Sequence, residues 1–78
     1  MRAYTLVTGA SEGLGREFAK IAAAEGRDVI VTARSEEKLT ALRNEIGDKV
    51  ECIVIAADLG QPGEAARLWS EATAGRTI

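Results

Sequence analysis

Three short runs of apolar and β-branched residues recur along the chain and predict three buried strands. They lie at residues 3–8, 28–33 and 50–56. Each run is continuous and does not alternate between apolar and polar residues, as is typical of parallel strands that helices cover on both faces. The pattern therefore predicts a parallel sheet in the middle of the molecule.

Between and after these runs, apolar residues recur at the three- and four-residue spacing of amphipathic helices. The first helix is predicted from Gly13 to a C-terminal cap at Gly26, and the second from an N-cap at Ser35 to Gly47. A third begins at Pro62, whose missing N–H costs nothing in a first turn, and closes at Gly75. The side chains expected to cover the sheet are Leu14, Phe18, Ile21 and Ala22 in the first helix, Leu39, Leu42 and Ile46 in the second, and Ala65, Leu68, Trp69 and Ala72 in the third.

These elements follow one another in the order β-α-β-α-β-α, joined by connections of a few residues. Such an order selects an α/β fold with right-handed crossovers, a Rossmann-like parallel sheet that forms part of a doubly wound architecture. Residues 76–78 are expected to approach a fourth strand. The strand order 3-2-1-4 would place that strand beside the first one.

Composition excludes several classes of function. The 78 residues carry a formal net charge of −2 with no stripe of Lys or Arg, which argues against binding to nucleic acid or to an anionic membrane. No apolar run approaches the roughly 20 residues that span a bilayer, and residues 1–7 lack a basic leader region, so the cytoplasm is the expected location. A single cysteine, Cys52, and the absence of histidine exclude an internal disulfide and argue against a zinc site.

Three glycines stand within eight residues where the first strand meets the first helix, in the sequence Thr-Gly-Ala-Ser-Glu-Gly-Leu-Gly at positions 8–15. Gly9 permits a tight turn, Gly13 allows the backbone to approach a diphosphate, and Gly15 allows the helix to pack closely on the sheet. Free N–H groups and the positive end of the helix dipole would then face the anion. The alternative is that the glycines only shape a turn and a helix start.

The spacing of the glycines narrows the class of ligand. The general pattern G-x-G-x-x-G fails because Phe18 stands at its third glycine, and a Walker A loop fails because Gly-Lys-Ser/Thr is absent. The eight residues match T-G-x-x-x-G-x-G, the cofactor motif of the short-chain dehydrogenase/reductase family, and the chain resembles that family from Ala3 to its end. The resemblance implies that residues 1–78 are the N-terminal part of one NAD(P)-binding Rossmann domain. It also implies a set of cofactor-binding residues in the turn: Gly9, Ser11, Glu12, Gly13, Leu14 and Gly15.

Ala33 and Arg34 stand at the end of the second strand, about 20 residues beyond the glycine turn, where an Asp or Glu would hydrogen-bond the adenine ribose of NAD. A guanidinium can instead make a charge-assisted contact with the 2′-phosphate of NADP. In the family that this chain resembles, Ala-Arg at this point goes with NADP(H) rather than NAD(H). The alternative for Arg34 is a solvated surface charge. Glu12 departs from the pattern, because a basic or small residue there would favour NADP more strongly.

Asp58 and Leu59, directly after the third strand, match the family's pair of an aspartate and a hydrophobic residue. The resemblance implies that the carboxylate receives the adenine amino group and that the neighbour packs on the ring. An ordinary turn at Asp58, next to Gly60, is the alternative.

The residues that carry out catalysis in that family are absent from this sequence. Its members use a serine that orients the substrate carbonyl, a tyrosine that acts as general acid/base and a lysine four residues on, which lowers the tyrosine pKa. Tyr4 cannot substitute, because it begins the first strand, at the end of the sheet remote from the cofactor. Cys52, Phe18 and Trp69 are expected to be packing residues. We therefore expect no catalytic residue in this chain.

The leading hypothesis is that the chain is the NADP(H)-binding portion of an oxidoreductase, whose full-length form transfers a hydride between NADP(H) and a carbonyl or alcohol substrate. A stand-alone nucleotide-binding or interaction module is the alternative, with the open sheet edge covered by oligomerisation. A homo-oligomer is expected. A third hypothesis, a flavodoxin-like domain without a dinucleotide, requires the three glycines to be coincidental.

Overall fold

The computed structural model describes residues 3–78; residues 1 and 2 lie outside the described part. Within residues 3–78, three strands and three helices alternate: β1 (Tyr4–Thr8), α1 (Gly13–Ala24), β2 (Asp28–Ala33), α2 (Glu36–Ile46), β3 (Cys52–Ala56) and α3 (Glu64–Thr73). The predicted order of elements is confirmed. The β1 and β3 strands each begin slightly later than the sequence predicts.

The strands form one parallel sheet in which β2 lies between β1 and β3. Side chains along β2 alternate between two hydrophobic cores, so that Val29 and Val31 pack with α1 and α2 while Ile30 packs with α3. All three side chains are fully buried. A strand buried on both faces requires apolar residues at successive positions, which explains the unbroken run in the sequence.

The end of the chain pairs with the free edge of β1. Thr77 forms a parallel bridge with Ala3, and the Tyr4 amide donates to the Thr77 carbonyl oxygen at 2.7 Å. Since β2 occupies the other edge of β1, Thr77 lies where the doubly wound strand order places a fourth strand. This pairing agrees with the approach to a fourth strand, which stays a prediction.

The second helix follows its sequence pattern. The Ser35 hydroxyl accepts a hydrogen bond from the Lys38 amide at 3.2 Å, so Ser35 is the N-cap, and Gly47 caps the other end. Leu39 and Leu42 are fully buried against the sheet. This helix fixes the position of the residues that follow β2.

The first helix packs on the sheet through small residues. Ala19 and Ala22 are buried, whereas Leu14, Phe18 and Ile21 are exposed, Phe18 by 58%. The prediction that Leu14, Phe18 and Ile21 cover the sheet was therefore wrong. The two apolar stripes are offset by one position, about 100° around the helix. The stripe of short side chains faces the sheet because it lets the helix axis come closer.

The third helix also differs from its sequence pattern. Leu68 and Ala72 are buried as predicted, but Ala65 is exposed and Trp69 is 55% exposed, so the prediction that these two cover the sheet was wrong. The helix meets the sheet along a narrow stripe with a spacing of four residues. Positions next to that stripe point away from it.

The start of the third helix was predicted too early. Pro62 lies in the preceding turn, and Gly63 is the N-cap, with a left-handed φ of 81°. The Gly63 carbonyl oxygen accepts the hydrogen bond from the Arg67 amide at 3.0 Å, so helical bonding starts there. The left-handed residue separates Pro62 from the helix.

Candidate functional site

The turn between β1 and α1 depends on its glycines for two different reasons. Gly9 and Gly13 have φ values of 63° and 61°, in the left-handed region that disfavours other residues. A Cβ at either position would enter open space, with no atom of residues 3–78 within 4 Å. A Cβ at Gly15 would instead overlap the Gly9 carbonyl, lying 2.7 Å from its carbon. Gly15 therefore lets α1 press against the end of β1.

The first turn of α1 keeps its amides free of side-chain partners. Glu12 is the N-cap in an extended conformation but makes no side-chain capping bond, and the first turn contains no acidic residue. The turn is held in place from the other side, because the amide of buried Ala10 donates to the Thr32 carbonyl oxygen of β2 at 3.1 Å. Such a helix start presents N–H groups and a positive dipole end to an anion.

A cleft of about 430 Å³ lies beside this turn, at the carboxyl ends of the three strands. It brings together six of the predicted binding residues with neighbours from β2, α2 and the segment after β3. The lining residues are Gly9, Ser11, Glu12, Thr32, Ala33, Arg34, Ser35, Lys38, Ala57, Asp58, Leu59 and Gly60. The remaining predicted residues, Gly13, Leu14 and Gly15, belong to the helix start next to the cleft, and the Leu14 side chain points to solvent.

Thr32 contributes an unusual feature at the floor of the cleft. Its side chain is 1% exposed, and its hydroxyl has no hydrogen-bond partner within residues 3–78. An unpaired buried hydroxyl is costly unless something else supplies a partner. Thr32 lines the cleft, but its hydroxyl oxygen is itself closed to solvent.

Arg34 and Lys38 bring positive charge to the same cleft. Arg34 is exposed, and no carboxylate of residues 3–78 lies within ion-pair distance of its guanidinium. Lys38, in the first turn of α2, places its Nζ 2.6 Å from Oε1 of Glu12. The hydrogen bond and the positive charge of Lys38 lower the pKa of Glu12 below its usual value. The negative charge at Glu12 is thus compensated.

Sequence reasoning did not single out Lys38. Its position was the available signal, because Ser35 caps α2 and a Glu or Gln at the third residue after it would complete a capping box. A cation in a first turn is also unfavourable to the helix dipole. A lysine at that position suggests a role outside the helix.

Asp58 takes part in the turn that the sequence offered as an alternative. Its Oδ1 accepts a hydrogen bond from the Gly60 amide at 3.0 Å. The Ala57 amide donates a hydrogen bond to the Ala33 carbonyl oxygen at 2.9 Å. This bond extends the hydrogen-bond ladder between β2 and β3 as far as the cleft. Asp58 is half-buried and Leu59 exposed, so both remain accessible from the cleft.

Two residues that the sequence assigned to structure lie away from the cleft. Tyr4 begins β1, at the opposite end of the sheet, and its hydroxyl donates to Oε2 of Glu51 at 2.7 Å. Cys52 packs against the core of α1 and α2, and burial raises the pKa of its thiol. A raised pKa disfavours the reactive thiolate, in agreement with a packing role.

Two other kinds of feature, a membrane-spanning helix and a metal-binding cluster, are absent from residues 3–78. No helix in this range is long and apolar enough to cross a bilayer. Nor do these residues contain a group of three or more His, Cys, Asp or Glu side chains arranged to hold a metal ion.

Known proteins resemble this chain in both sequence and structure. The sequence profile of the family described as short chain dehydrogenase matches residues 3–76. A 7beta-hydroxysteroid dehydrogenase of Collinsella aerofaciens is 43% identical over 69 residues, covering 86% of this chain and 26% of that protein.

Two solved structures extend the similarity to the fold. A short-chain dehydrogenase from Sphingobium yanoikuyae in complex with NADPH has a TM-score of 0.80 and 32% identity, covering 85% of this chain and 27% of that one. A metagenomic short-chain oxidoreductase in complex with NADP has a TM-score of 0.84 and 34% identity, covering 94% and 34%.

The alternating parallel architecture and the glycine turn define a Rossmann-like α/β protein. The chain belongs to the short-chain dehydrogenase/reductase family of oxidoreductases, since the family profile covers nearly its whole length. The family resemblance and fold class predicted from the sequence are confirmed, and the flavodoxin-like hypothesis is excluded. The chain spans about a quarter to a third of the length of these relatives.

Proposed function

We propose that the natural protein containing this chain binds NADP(H) in the cleft and transfers a hydride between it and a carbonyl or alcohol substrate. The observation that carries the proposal is the Arg34 guanidinium, which has no ion-pair partner within residues 3–78 and lines the same cleft as Gly9 and Ser11. A phosphate-accepting turn and a free cation in one cleft suit a dinucleotide that carries an extra phosphate.

The diphosphate, the adenine and the 2′-phosphate of the dinucleotide each have a candidate site among these residues. The diphosphate would bind at the start of α1, where Gly9 and Gly13 carry no side chain and no side chain caps the helix. Asp58 and Leu59 would receive the adenine. Ser11 and Arg34 would face the 2′-phosphate.

The charge pattern favours NADP(H) over NAD(H). At the end of β2 the chain carries Ala33 and Arg34 in place of the carboxylate that would bind the ribose hydroxyl of NAD. Glu12 is the carboxylate that the glycine turn contributes to the cleft. Because it is paired with Lys38, it repels a phosphate less than an unpaired carboxylate would. The two similar structures in complex with NADPH and NADP support the same preference.

When bound, the nicotinamide ring would donate a hydride to a carbonyl substrate or accept one from an alcohol. The residues of this chain would bind and orient the adenosine and diphosphate portion, and the groups that move protons would come from outside residues 1–78. We propose that these residues are the N-terminal part of one NAD(P)-binding Rossmann domain. The start of strand pairing at Thr77 and the partial coverage of the relatives support this assignment. The side chains of Phe18 and Trp69 are exposed. This exposure supports the proposal that other parts of the protein, or a second copy in a homo-oligomer, cover them.

The test compares the affinities of the natural protein for NADPH and NADH, measured by calorimetry, before and after Arg34→Gln. Hydrogen bonds to a charged partner contribute about 1.5–3 kcal/mol, so NADPH binding should weaken roughly tenfold or more while NADH binding changes little. Arg34→Asp should reverse the preference.

Arg43→Gln is the matched control, because Arg43 is also an exposed arginine but lies near the other end of α2, outside the cleft. It should leave both affinities unchanged. An unaltered NADPH affinity in Arg34→Gln would show that the 2′-phosphate is held elsewhere. Binding of NADPH without turnover of any carbonyl or alcohol would favour the stand-alone module.

A further inference from the structure

We propose that Lys38 is a second cation of the 2′-phosphate pocket, and that Glu12 competes with the phosphate for it and so sets the strength of the NADP(H) preference. The inference rests on the proposed function and deepens it. It concerns a residue that neither the glycine motif nor the end of β2 contains.

Geometry brings Lys38 to the pocket from a different element than Arg34. Glu12 precedes α1 and Lys38 lies in α2, 26 positions apart, yet their charged atoms are 2.6 Å apart at the mouth of the cleft. Arg34 lines the same cleft. A phosphate bound at Arg34 would therefore have a second cation on the neighbouring wall.

The ion pair is built so that it can rearrange. The side chains of Lys38 and Glu12 are 55% and 73% exposed, and such exposed pairs contribute little to stability. A lysine is a flexible point charge with three donors, so its ammonium can bond a phosphate oxygen and Glu12 together or turn from one to the other. The protein loses little when the ligand takes over one of these bonds.

Charge arithmetic gives the pair its proposed role. Four charged residues line the cleft: Arg34 and Lys38 carry two positive charges, and Glu12 and Asp58 carry two negative charges, so their sum is zero before a ligand binds. A phosphate monoester carries about −1.5 to −2 at neutral pH and would compete strongly for both cations. The ribose hydroxyl of NAD(H) carries no charge, so it would leave Lys38 with Glu12.

The two acidic residues of the α2 start do not take the place of Glu12. Glu36 and Glu37 also stand in the first turn of α2, but neither lines the cleft. The hydrogen bond from the Lys38 amide to Ser35 fixes this turn, so that Lys38, rather than either glutamate, is the charged residue of the turn that lines the cleft.

The experiment measures the affinity of the natural protein for adenosine 2′,5′-bisphosphate and for 5′-AMP by calorimetry. The ratio of the two affinities reports the contribution of the 2′-phosphate alone. We expect Lys38→Gln to lower this ratio by about tenfold and Glu12→Gln to raise it severalfold. The affinity for 5′-AMP should stay nearly constant.

The decisive variant is the double substitution. If Lys38 contacts the phosphate, Lys38→Gln in the Glu12→Gln background still lowers the ratio severalfold. If Lys38 only neutralises Glu12, the same substitution has no effect once Glu12 is gone, and the proposal is overturned. Lys20→Gln, which removes a lysine near Glu45 on another surface, is the control and should leave the ratio unchanged.

The outcomes separate this inference from the proposed function. If the protein binds both nucleotides but Lys38→Gln leaves the ratio of their affinities unchanged, the proposed nucleotide site stands. The role of Lys38 as a second cation is then overturned. A wild-type protein that binds neither nucleotide overturns both proposals. Circular dichroism of each variant establishes that the affinities refer to folded protein.

Discussion

The first turns of α1 and α2 are built in opposite ways, although the two helices lie on the same face of the sheet. The Ser35 hydroxyl caps α2, and Glu36 and Glu37 place negative charge near its positive end. In α1 the N-cap, Glu12, makes no capping bond, and the first turn contains no acidic residue.

The difference separates a helix start that serves the fold from one that is open to a ligand. A side-chain cap and first-turn carboxylates satisfy the amides and the dipole from within the chain. Glycines and an uncapped turn leave the same groups for an anion. Both helices are equally well placed at the carboxyl end of the sheet, so the local sequence decides which of them can bind a diphosphate.

The largest effect is expected from Gly15→Ala, which attacks the packing of the α1 start. The added Cβ would overlap the Gly9 carbonyl, and backbone cannot move aside as a flexible side chain can. Overpacking of this kind costs about 1–3 kcal/mol, occasionally more. We expect a loss of that size in the free energy of unfolding, measured with urea, and at least tenfold weaker NADPH binding because the turn and helix must separate.

Gly60→Ala is the steric control for that variant. A Cβ at Gly60 meets only the Asp58 carboxylate oxygen, at 3.2 Å, and the aspartate side chain can shift. It should lower stability much less than Gly15→Ala. Equal stability losses in the two variants would contradict the tight contact between α1 and β1.

A second substitution, Gly13→Ala, tests whether the open space at the α1 start is where a ligand lies. Alanine in the left-handed region costs about 1–2 kcal/mol. Gly26→Ala offers a matched comparison, because Gly26 also has a positive φ, of 84°, and also faces open space, but lies at the far end of α1. Both variants should lose similar stability, measured with urea.

Only Gly13→Ala should also weaken NADPH binding, measured by calorimetry, because its methyl group would occupy space needed by the diphosphate. An equal loss of affinity in Gly26→Ala would mean that general destabilisation explains the result. Unchanged affinity in both would place the diphosphate away from Gly13.

Capping gives the next, smaller effect. Ser35→Ala removes the bond to the Lys38 amide and should cost about 1 kcal/mol of stability, measured by urea unfolding. Ser35→Thr keeps a hydroxyl and should recover most of this loss. Ser35 also lines the cleft, so ligand affinity does not separate its capping role from a contact with the ligand. A stability loss in Ser35→Thr as large as that in Ser35→Ala would contradict capping by the hydroxyl.

The fold could be predicted from the sequence because its signals are local. Unbroken apolar runs located the strands, the first of them ending at Gly9, and Ser35 and Gly47 located the bounds of α2. The faces of α1 and α3 could not be predicted in full. In α1 two adjacent apolar stripes compete, and the close approach of Ala19 to the sheet decides between them only in the folded protein.

Much of the candidate site was also visible in the sequence, since the glycine turn and Arg34 each follow a strand in a fixed position. Lys38 was not visible in this way. Its partner Glu12 is 26 positions away, and the two meet only because parallel strands bring the ends of β1 and β2 together. A contact made by tertiary structure between two exposed side chains leaves no periodic pattern.

The smallest expected effect concerns α3, whose start resembles that of α2 in carrying its own acidic residue. Glu64 lies in the first turn, and Arg67 donates to it from Nε at 2.5 Å. The hydrogen bond from Arg67 is the largest influence on Glu64, and it lowers the pKa of this carboxyl below the usual 4.5. A carboxyl whose pKa is lower in the folded state stabilises the fold above its unfolded pKa and loses that contribution as the pH falls through the folded value.

Glu64→Gln should therefore lower the thermal midpoint slightly at pH 7, and the gap to the wild type should close as the pH falls below about 4.5. Arg67→Gln should remove the same pH-dependent part of stability, because Arg67 is the partner that lowers the pKa of Glu64. The double variant, Glu64→Gln with Arg67→Gln, should show no larger pH-dependent loss than either single variant. Scanning calorimetry between pH 3 and pH 7 makes the measurement. If the difference in thermal midpoint persists at pH 3, Glu64 acts through packing. The start of α3 would then not be stabilised by an acidic residue as the start of α2 is, and the likeness between these two helix starts would be lost.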